Sequence, residues 1–492
     1  MSINYRHNIN IIMLRLLPSC RPAASLRRLP IVIAVIVSPF IGSHAQQPAD
    51  KNLSHTTVNI ENPTVQHMMQ HSASTFERGS KSYLDDAEFR QLRSSALSSG
   101  YRNDQPVGFD VHFKTKKAGM VWISLSADQE GSLLRLDTLF EASKGDNTFS
   151  LVNLVPQTTY FYTVLQKKPL TSGMIHTEGQ LRMIRLDSSW NIRDLGGWTG
   201  WGGNRVRYEQ VYRGGSPGGQ NARHETYFLS KDDIAELHRI GIRAHLDLRA
   251  MPGRGSWPDD PKRNAHSLGY TPMLDADFMN TATDFALHDA LHFSAAVGNV
   301  AWVIAKLKEG KPVYFHCRTG ADRTGVMGFT LLGLLGCDAY PTPSGGNQIA
   351  IDYELTSLGM DEEGTIAYNR TGKQPSSYSN RYANSIATSG YDYFRRLLGM
   401  TAEGFNLDSF QLKCYYYLNR YFRDNTVESA GRVFINKADL DWFINFMLGI
   451  TDRDGHLIPP HTTKFTGPEW AIDDPTNSLS SAYETANRLQ YK

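Results

Sequence analysis

Short segments that alternate between hydrophobic and polar or β-branched positions follow one another between residues 107 and 166. Turn residues separate these predicted strands, which cover Val107–Phe113, Gly119–Ser126, Leu133–Phe140, Asn147–Val152 and Tyr160–Gln166. Alternation places every second side chain on the same face of a strand, so one face of each segment can be buried. The pattern predicts a small all-β sandwich over residues 104–182.

The hydrophobic pattern changes beyond residue 183. Pro312–Phe315 is a short apolar run that predicts a buried strand, and Val326–Leu335 predicts an apolar helix just beyond it. Hydrophobic residues at helical spacing predict another helix over Ala438–Leu448. We therefore expect the fold class to be α/β over residues 183–452, with a central sheet flanked by helices and preceded by the sandwich.

The two ends of the chain differ from these regions. Arg27 and Arg28 precede an apolar run, Leu29–Ile41, and small residues follow at Ser43 and Ala45. The run has about thirteen residues, too few to span a bilayer comfortably. The pattern is typical of a cleaved export signal over residues 1–45, which predicts a periplasmic or secreted protein without stable membrane insertion. Residues 46–103 are predicted to be a linker and peripheral segment, and residues 453–492 an irregular tail.

Composition excludes some classes of function. The 492 residues carry a formal net charge of +2 and no dense stripe of Lys and Arg, so we expect no nucleic-acid partner. The 16 histidines lack metal-ligand spacing, so we expect no metal. Removal of the signal leaves Cys317, Cys337 and Cys414, of which the last two are expected to be buried apolar residues, with a disulfide between them as the alternative. No feature of the sequence indicates an oligomeric state.

The strand at 312–315 and the helix at 326–335 enclose a loop with its own chemistry. The segment His316–Gly325 reads HCRTGADRTG and places Cys317 and Arg323 at opposite ends of a short glycine-containing loop. Backbone N–H groups at a helix N-terminus converge on an anion, and the same field stabilises a thiolate. The predicted phosphate-binding residues are Arg318, Thr319, Gly320, Ala321, Asp322 and Arg323.

The loop also suggests individual roles. Cys317 is the candidate nucleophile, and Arg323 can hold two phosphate oxygens with its planar guanidinium group. Thr324 lies where its hydroxyl could donate a hydrogen bond to the Cys317 sulfur. His316 is expected to hold the loop in shape through a hydrogen bond to the backbone.

This segment resembles the signature of the Cys-x5-Arg protein tyrosine phosphatase superfamily. Further landmarks resemble the atypical bacterial tyrosine and lipid phosphatases, in the same order: Asn191–Gly197 (NIRDLGG), Val211–Ser216 (VYRGGS), Gly241–Arg243 leading to Asp247–Arg249 (DLR), and Ile351–Thr356 (IDYELT). The resemblance implies a tyrosine phosphatase-like domain, a covalent cysteinyl-phosphate and no cofactor. It also implies that the Arg193-Asp194 pair braces the floor of the active site, with Asp352 and Tyr353 on a helix packed behind it.

A second resemblance concerns the sandwich. The segment Leu154–Tyr162 is similar to the corner of a fibronectin type III domain, where a tyrosine hydroxyl ties the loop before the penultimate strand. The resemblance implies a domain that packs against the catalytic domain or presents it.

The general acid has several candidates. Phosphate ester cleavage needs a proton on the leaving oxygen, and a carboxyl group can supply it. Asp322 is the first choice because it lies next to Arg323, as in the atypical bacterial enzymes and the myotubularin-like lipid phosphatases. Asp259 belongs to a Trp-Pro-Asp triplet about sixty residues before the nucleophile, and Asp275 and Asp277 are weaker candidates.

These features predict an exported phosphomonoester hydrolase, a protein tyrosine or dual-specificity phosphatase. Its partner would be a phosphorylated protein or a small phosphomonoester. An inositol phosphate or phosphoinositide phosphatase is the first alternative, although Ala321 stands where relatives with lipid substrates often have lysine. A catalytically silent phosphate-binding module is the second alternative, against which the presence of Cys317, Arg323 and Thr324 argues.

Overall fold

A computed structural model describes four sheets and the helices around them. The described residues are 54–71, 91, 104–186, 189–215, 219–220, 226–227, 231–248, 277–280, 290–317, 320, 322–337, 340–343, 346, 348–359 and 437–466. The predicted signal over residues 1–45 lies outside them. In the described part of the chain, none of the helices combines the length and apolar character that a membrane crossing needs.

Seven strands in two sheets form the first part of the described chain. They are β1 (Ser54–Asn59), β2 (Phe109–Thr115), β3 (Gly119–Ser126), β4 (Leu134–Ala142), β5 (Gly145–Leu151), β6 (Thr159–Leu165) and β7 (Pro169–Glu178). One sheet has the order β1-β7-β6-β3-β4, and β2 pairs with β5 in the other. Side chains from both sheets share one hydrophobic core, to which β2 contributes Val111 and β3 contributes Ile123. Strands β2 to β6 match the five predicted segments within two residues at each end, whereas β7 was not predicted.

The segment before the sandwich is more ordered than its sequence suggested. Strand β1 pairs in parallel with β7 as an edge strand, and helix α1 (Pro63–His71) follows it. Val65 and Met68 of α1 are buried in the second hydrophobic core of the chain. Residues 54–71 are therefore packed structure, although a linker and peripheral segment was predicted for 46–103. Two buried hydrophobic side chains on one helix are too weak a periodicity to be recognised in a sequence.

The tyrosine corner is present in the loop before β6. The Tyr160 hydroxyl accepts a hydrogen bond from the backbone N–H of Val155 at 2.9 Å. Thr177 of β7 donates to the Val155 carbonyl at 2.6 Å, so both polar groups of one loop residue are satisfied inside the protein. The loop is thereby fixed against two neighbouring strands.

The second large sheet contains five short strands, with the order β13-β12-β14-β9-β8. They are β8 (Arg193–Asp194), β9 (Val211–Gly214), β12 (Ala244–Asp247), β13 (Asp277–Asn280) and β14 (Val313–His316), and a separate pair is formed by β10 (Gly219–Gln220) and β11 (Thr226–Tyr227). All neighbours pair in parallel except β8, which is antiparallel to β9. Asp247, His316 and Gly214 lie side by side in the register. Three carboxyl ends therefore meet at one edge, where open α/β sheets bind ligands.

Helices cover this sheet. They are α2 (Lys231–Arg239), α3 (Ala290–Lys308), α4 (Asp322–Leu334), α5 (Gln348–Glu354) and α6 (Lys437–Met447), and short 3₁₀ turns occupy Trp201–Gly203 and Leu355–Gly359. Helices α4 and α6 occur where the apolar patterns predicted them. Beyond α6, residues 453–466 of the predicted tail are irregular and largely exposed, and the Phe465 ring stacks on Trp201 with 5.8 Å between ring centroids.

Buried hydrogen bonds join the sandwich to the α/β part. Arg182 donates from Nη2 to the Asn153 carbonyl at 2.8 Å, and Asn153 Oδ1 accepts from the Arg185 backbone N–H at 2.6 Å. Arg239 of α2 donates to the Val152 carbonyl at 3.2 Å. These contacts satisfy polar groups of the β5–β6 loop and hold the two-sheet region against the α/β part.

Candidate active site

Cys317 lies at the carboxyl end of β14, between the sheet and helix α4. Its side chain is buried, with 3% of the residue exposed, and the thiol is free. Helix α4 begins at Asp322, so the loop after Cys317 leads into a helix N-terminus. The partial positive charge of that terminus and its unpaired N–H groups favour an anion in front of it.

Some of the predicted loop and acid residues cannot be placed. Arg318, Thr319 and Ala321 lie outside the described residues, and so does the side chain of Asp322, the first residue of α4. Asp259 and Asp275 also lie outside. Asp277 is the first residue of β13, and only its backbone is described. The choice among the four carboxyl groups therefore stays a prediction.

His316 ties the start of the loop to the backbone, the kind of contact that its position suggested. Its Nδ1 lies 2.7 Å from the carbonyl oxygen of Cys317. A carbonyl can only accept, so Nδ1 carries the proton in this hydrogen bond. His316 also continues the strand, because its own carbonyl accepts the backbone N–H of Leu248 at 2.8 Å.

A second buried histidine contacts the first, and no sequence pattern had singled it out. His245 of β12 places its Nε2 2.5 Å from Nε2 of His316, and the two rings lie 4.7 Å apart between centroids. The carboxylate of Asp247 is 4.0 Å from the same His316 nitrogen. The only sequence signal for this pair is a polar residue at position 245 in a strand that is otherwise apolar up to its last residue.

Arg323 reaches from the start of α4 to the neighbouring strand. Its Nη1 donates to the carbonyl of Leu248, just beyond β12, at 3.0 Å. The guanidinium group is therefore anchored at the same sheet edge as Cys317. Guanidinium is a planar group with five N–H donors, a geometry that suits the oxygens of a phosphoryl group.

Thr324 does not make the hydrogen bond that its position suggested. Its residue is fully buried, and Oγ1 has no hydrogen-bond partner among the described residues. The predicted bond to the Cys317 sulfur is thus not formed in this structure. Helical threonine has few χ1 rotamers, and the one adopted leaves the hydroxyl without an acceptor. A buried hydroxyl in this state costs about 1–3 kcal/mol.

The floor beneath the loop is a buried carboxylate held by two arginines. Asp352 of α5 accepts from Arg193 Nε at 2.9 Å, and its other oxygen accepts from Arg213 Nη1. Burial alone would raise the pKa of Asp352, but the two guanidinium groups outweigh it and lower that pKa below its usual value. Burial and the neighbouring Arg193 lower the pKa of Arg213 to about 10.

Residues of the floor contact the loop after Cys317 at the carbonyl of Gly320. Gly320 accepts from Arg213 Nη2 at 3.0 Å and from Asn191 Nδ2 at 3.2 Å. Its φ is +74°, and a Cβ there would lie 2.4 Å from the carbonyl carbon of Gly214, so only glycine fits. The NIRDLGG segment, the VYRGGS segment and α5 therefore converge on the middle of the loop.

The Arg193-Asp194 pair does not act as one unit. Arg193 braces the floor as the resemblance implied, but Asp194 accepts from Arg182 at 3.2 Å and from the Glu209 backbone N–H at 2.7 Å. Adjacent residues of a strand point to opposite faces, which separates the two side chains. Burial raises the pKa of Asp194 from 3.8 to about 6, although Arg182 opposes the shift.

Two further predictions concern metals and cysteines. Among the described residues, Asp452, Asp454 and His456 bring possible metal-ligand atoms within 4.8 Å of one another in a surface turn. Asp452 already accepts the His456 backbone N–H at 2.8 Å, so the turn is explained by its own hydrogen bonds.

Cys337 is buried beyond α4, and Cys414 lies outside the described residues, so their proposed disulfide is untested.

Comparison with known proteins gives matches in the same region. Residues 184–411 match a family model described as the tyrosine phosphatase family. A putative tyrosine-protein phosphatase of Cupriavidus necator is 29% identical over 174 residues, which cover 31% of this chain and 58% of that protein. The match thus spans less than two thirds of the relative's length. The family match, over residues 184–411, includes both the residues of the floor and the candidate nucleophile.

Proposed function

We propose that the chain is a tyrosine phosphatase family member that hydrolyses phosphoric monoesters with Cys317 as the nucleophile. The observation that carries the proposal is the placement of a buried free thiol between a strand end and a helix N-terminus, with Arg323 anchored at the same sheet edge. The family match over residues 184–411 supports it. Such a site stabilises both a thiolate and a phosphoryl group.

The proposed reaction has two steps. The Cys317 thiolate attacks phosphorus, the bond between phosphorus and the leaving oxygen breaks, and a general acid protonates that oxygen. Water then attacks the cysteinyl-phosphate, the same group removes a proton from the water, and the thiolate and inorganic phosphate are released. Arg323 and the loop N–H groups would hold the equatorial oxygens in both steps.

We assign the general acid to Asp322. As the first residue of α4 it follows the loop directly, which supports its access to the leaving group. Exchange of Asp322 for Asn should slow substrates with poor leaving groups far more than activated aryl phosphates, because only the former need the proton. The same exchange at Asp259, Asp275 and Asp277 should leave this ratio unchanged.

The substrate class follows from the family and from one loop position. We propose a phosphorylated protein, with phosphotyrosine preferred, because the matching family and relative carry that name. Ala321 supplies no cation beside Arg323, so a more highly charged inositol phosphate gains less here than it would with lysine. Parallel rates on a phosphotyrosine peptide and inositol hexakisphosphate measure the preference.

The proposal also covers export of the protein and the fold of the region before the catalytic domain. We propose that residues 1–45 direct export and that residues 104–182 are a fibronectin type III-like sandwich. The apolar run before Ala45 supports the first statement. The two-sheet core and the Tyr160–Val155 hydrogen bond support the second. Amino-terminal sequencing of protein secreted by a bacterial host tests the cleavage site.

The deciding experiment is a rapid-quench assay with para-nitrophenyl phosphate and radiolabelled substrate. Wild type should form a radiolabelled phosphoprotein, and Cys317→Ser should lose both labelling and turnover. Cys337→Ala is the matched control, because it removes another buried cysteine and should retain both signals. A folded Cys317→Ser variant with wild-type turnover would refute the assignment.

A further inference from the structure

Three turns of the sandwich collect lysines at one of its ends. The antiparallel register places the β2–β3, β4–β5 and β6–β7 turns together, since Thr115 pairs with Gly145, Gly119 with Ala142, and Leu165 with Pro169. The exposed lysines at this end, here called the basic tip, are Lys114, Lys116, Lys117, Lys144, Lys167 and Lys168. Among the described residues, Glu141 and Asp146 are the carboxylates at this end, so six lysines outnumber two acids by four charges.

An exposed apolar row lies directly beside the basic tip. Trp122 of β3 pairs with Leu139 of β4 on one side and with Leu165 of β6 on the other. The exposed fractions of these three residues are 38%, 54% and 37%, and Met120 nearby is 50% exposed. Their neighbours in β3, Val121 and Ile123, are buried in the sandwich core. The row therefore occupies the outer face of the sheet, across three adjacent strands.

The tip lies at the far end of the strands from the α/β part. Arg135, at the start of β4, pairs with Glu209 at 2.8 Å, and the Val152 carbonyl beyond β5 accepts from Arg239. Strand β5 has seven residues between that junction and the tip, a distance of about 20 Å. A flat surface can therefore contact the basic tip while the contacts between the sandwich and the α/β part remain in place.

We propose that the basic tip and the apolar row bind the surface of an anionic phospholipid membrane. Lysines near such a surface are attracted by its negative potential, and tryptophan favours the boundary between headgroups and acyl chains. An acidic polymer would match the lysines equally well but has no apolar layer for Trp122, Leu139 and Leu165. The combination of positive charge with exposed apolar side chains is what peripheral membrane contacts require. This inference is independent of the proposed catalytic function.

The test is sedimentation with lipid vesicles. The protein used in this test spans residues 46–492 and so contains the compact unit formed by residues 51–492. The apolar run at 29–41 is left out because it would itself bind lipid. It should bind vesicles that contain 30 mol% phosphatidylglycerol and not vesicles of phosphatidylcholine alone. Binding should weaken as salt is raised from 50 to 500 mM, because exposed charges are then screened.

Two sets of substitutions locate the contact. Exchange of Lys116, Lys117 and Lys168 for Gln should lower the partition coefficient about 100-fold, since each lysine contributes roughly fivefold near an anionic surface. The matched control exchanges Lys308, Lys311 and Lys464 for Gln in the α/β part and beyond it, with the same change in net charge and little loss of binding. Trp122→Ser should weaken binding about tenfold at fixed salt and leave the salt dependence unchanged.

Several results would overturn the proposal. They are absence of binding to the anionic vesicles, equal binding to both vesicle types, and equal losses in the two lysine triples. Binding to soluble heparin without binding to vesicles would identify an acidic polymer as the partner instead. Hydrolysis of para-nitrophenyl phosphate by the tip variants should match wild type, which separates this test from that of the catalytic proposal.

Discussion

His245 Nε2 lies 2.5 Å from His316 Nε2, inside the protein and one residue from the candidate nucleophile. Since His316 uses its Nδ1 proton for the Cys317 carbonyl, its neutral Nε2 can only accept. His245 must then donate, and the contact fixes the tautomers of both rings. His245 is thereby a positioning residue for the start of the phosphate loop.

Exchange of His245 for Leu should remove this donor and leave a buried acceptor unsatisfied. We expect a loss of about 1–3 kcal/mol in the free energy of unfolding. His245→Gln keeps an N–H donor and should recover part of that loss. Urea unfolding measures both variants, and equal stability of His245→Leu and wild type would contradict the donor role.

Loss of the Asp352 carboxylate should strongly lower the free energy of unfolding. Asp352→Asn leaves Arg193 and Arg213 buried without a countercharge, which should cost about 3–5 kcal/mol in the free energy of unfolding. Asp439→Asn is the control, because Asp439 pairs with Lys308 at the surface and its loss should cost less than about 1 kcal/mol. Urea titrations of the two variants give the comparison, and similar costs would contradict the role of the floor.

Asp194 should make the stability of the protein depend on pH. Its pKa is about 6 in the folded protein, above the ordinary 3.8, so the folded state holds the proton more tightly. The resulting stabilisation is complete below about pH 4 and is lost as pH rises through 6, by at most about 1.4 kcal/mol per pH unit. The side chain of Asp194→Asn does not titrate over this range. The free energy of unfolding of wild type minus that of the variant should therefore decrease from pH 4 to pH 7. A gap that widens over this range would mean that Arg182 outweighs burial.

The Thr324 hydroxyl should lower the stability of the folded protein and assist catalysis. Because its buried hydroxyl has no partner among the described residues, Thr324→Val should raise the free energy of unfolding by about 1 kcal/mol. The same change should slow breakdown of the phosphoenzyme, where a hydroxyl donor would stabilise the departing thiolate. Thr324→Ser keeps the hydroxyl and serves as control in single-turnover assays. Unchanged breakdown in Thr324→Val would show that the hydroxyl takes no part.

The sequence predicted those features that depend on local pattern. Alternating positions located strands β2 to β6, and the resemblance of Leu154–Tyr162 implied that a tyrosine hydroxyl ties its loop, which in the structure is that of Tyr160. The strand Val313–His316 and the helix Asp322–Leu334 occur at the two predicted apolar runs, although the helix begins four residues before its predicted start. Each of these inferences uses neighbours within about ten residues along the chain.

Features that depend on distant pairing were not predicted individually. His245 and His316 are separated by 71 positions, and Arg193 and Asp352 by 159. Parallel strand order brings such residues together, and no periodicity encodes which polar side chains will meet. Strand β1 was missed for a similar reason, because β7, its strand partner among the described residues, lies more than a hundred residues away.

Gly320 has a consequence for how this sequence can evolve. Its restriction comes from the carbonyl carbon of Gly214, 2.4 Å from where a Cβ would be, and not from any contact with a substrate. Selection for a folded chain alone should therefore retain glycine at this position. A descendant that had lost Cys317, and with it the chemistry, would still carry Gly320, so this glycine marks the ancestry of a chain and not its activity.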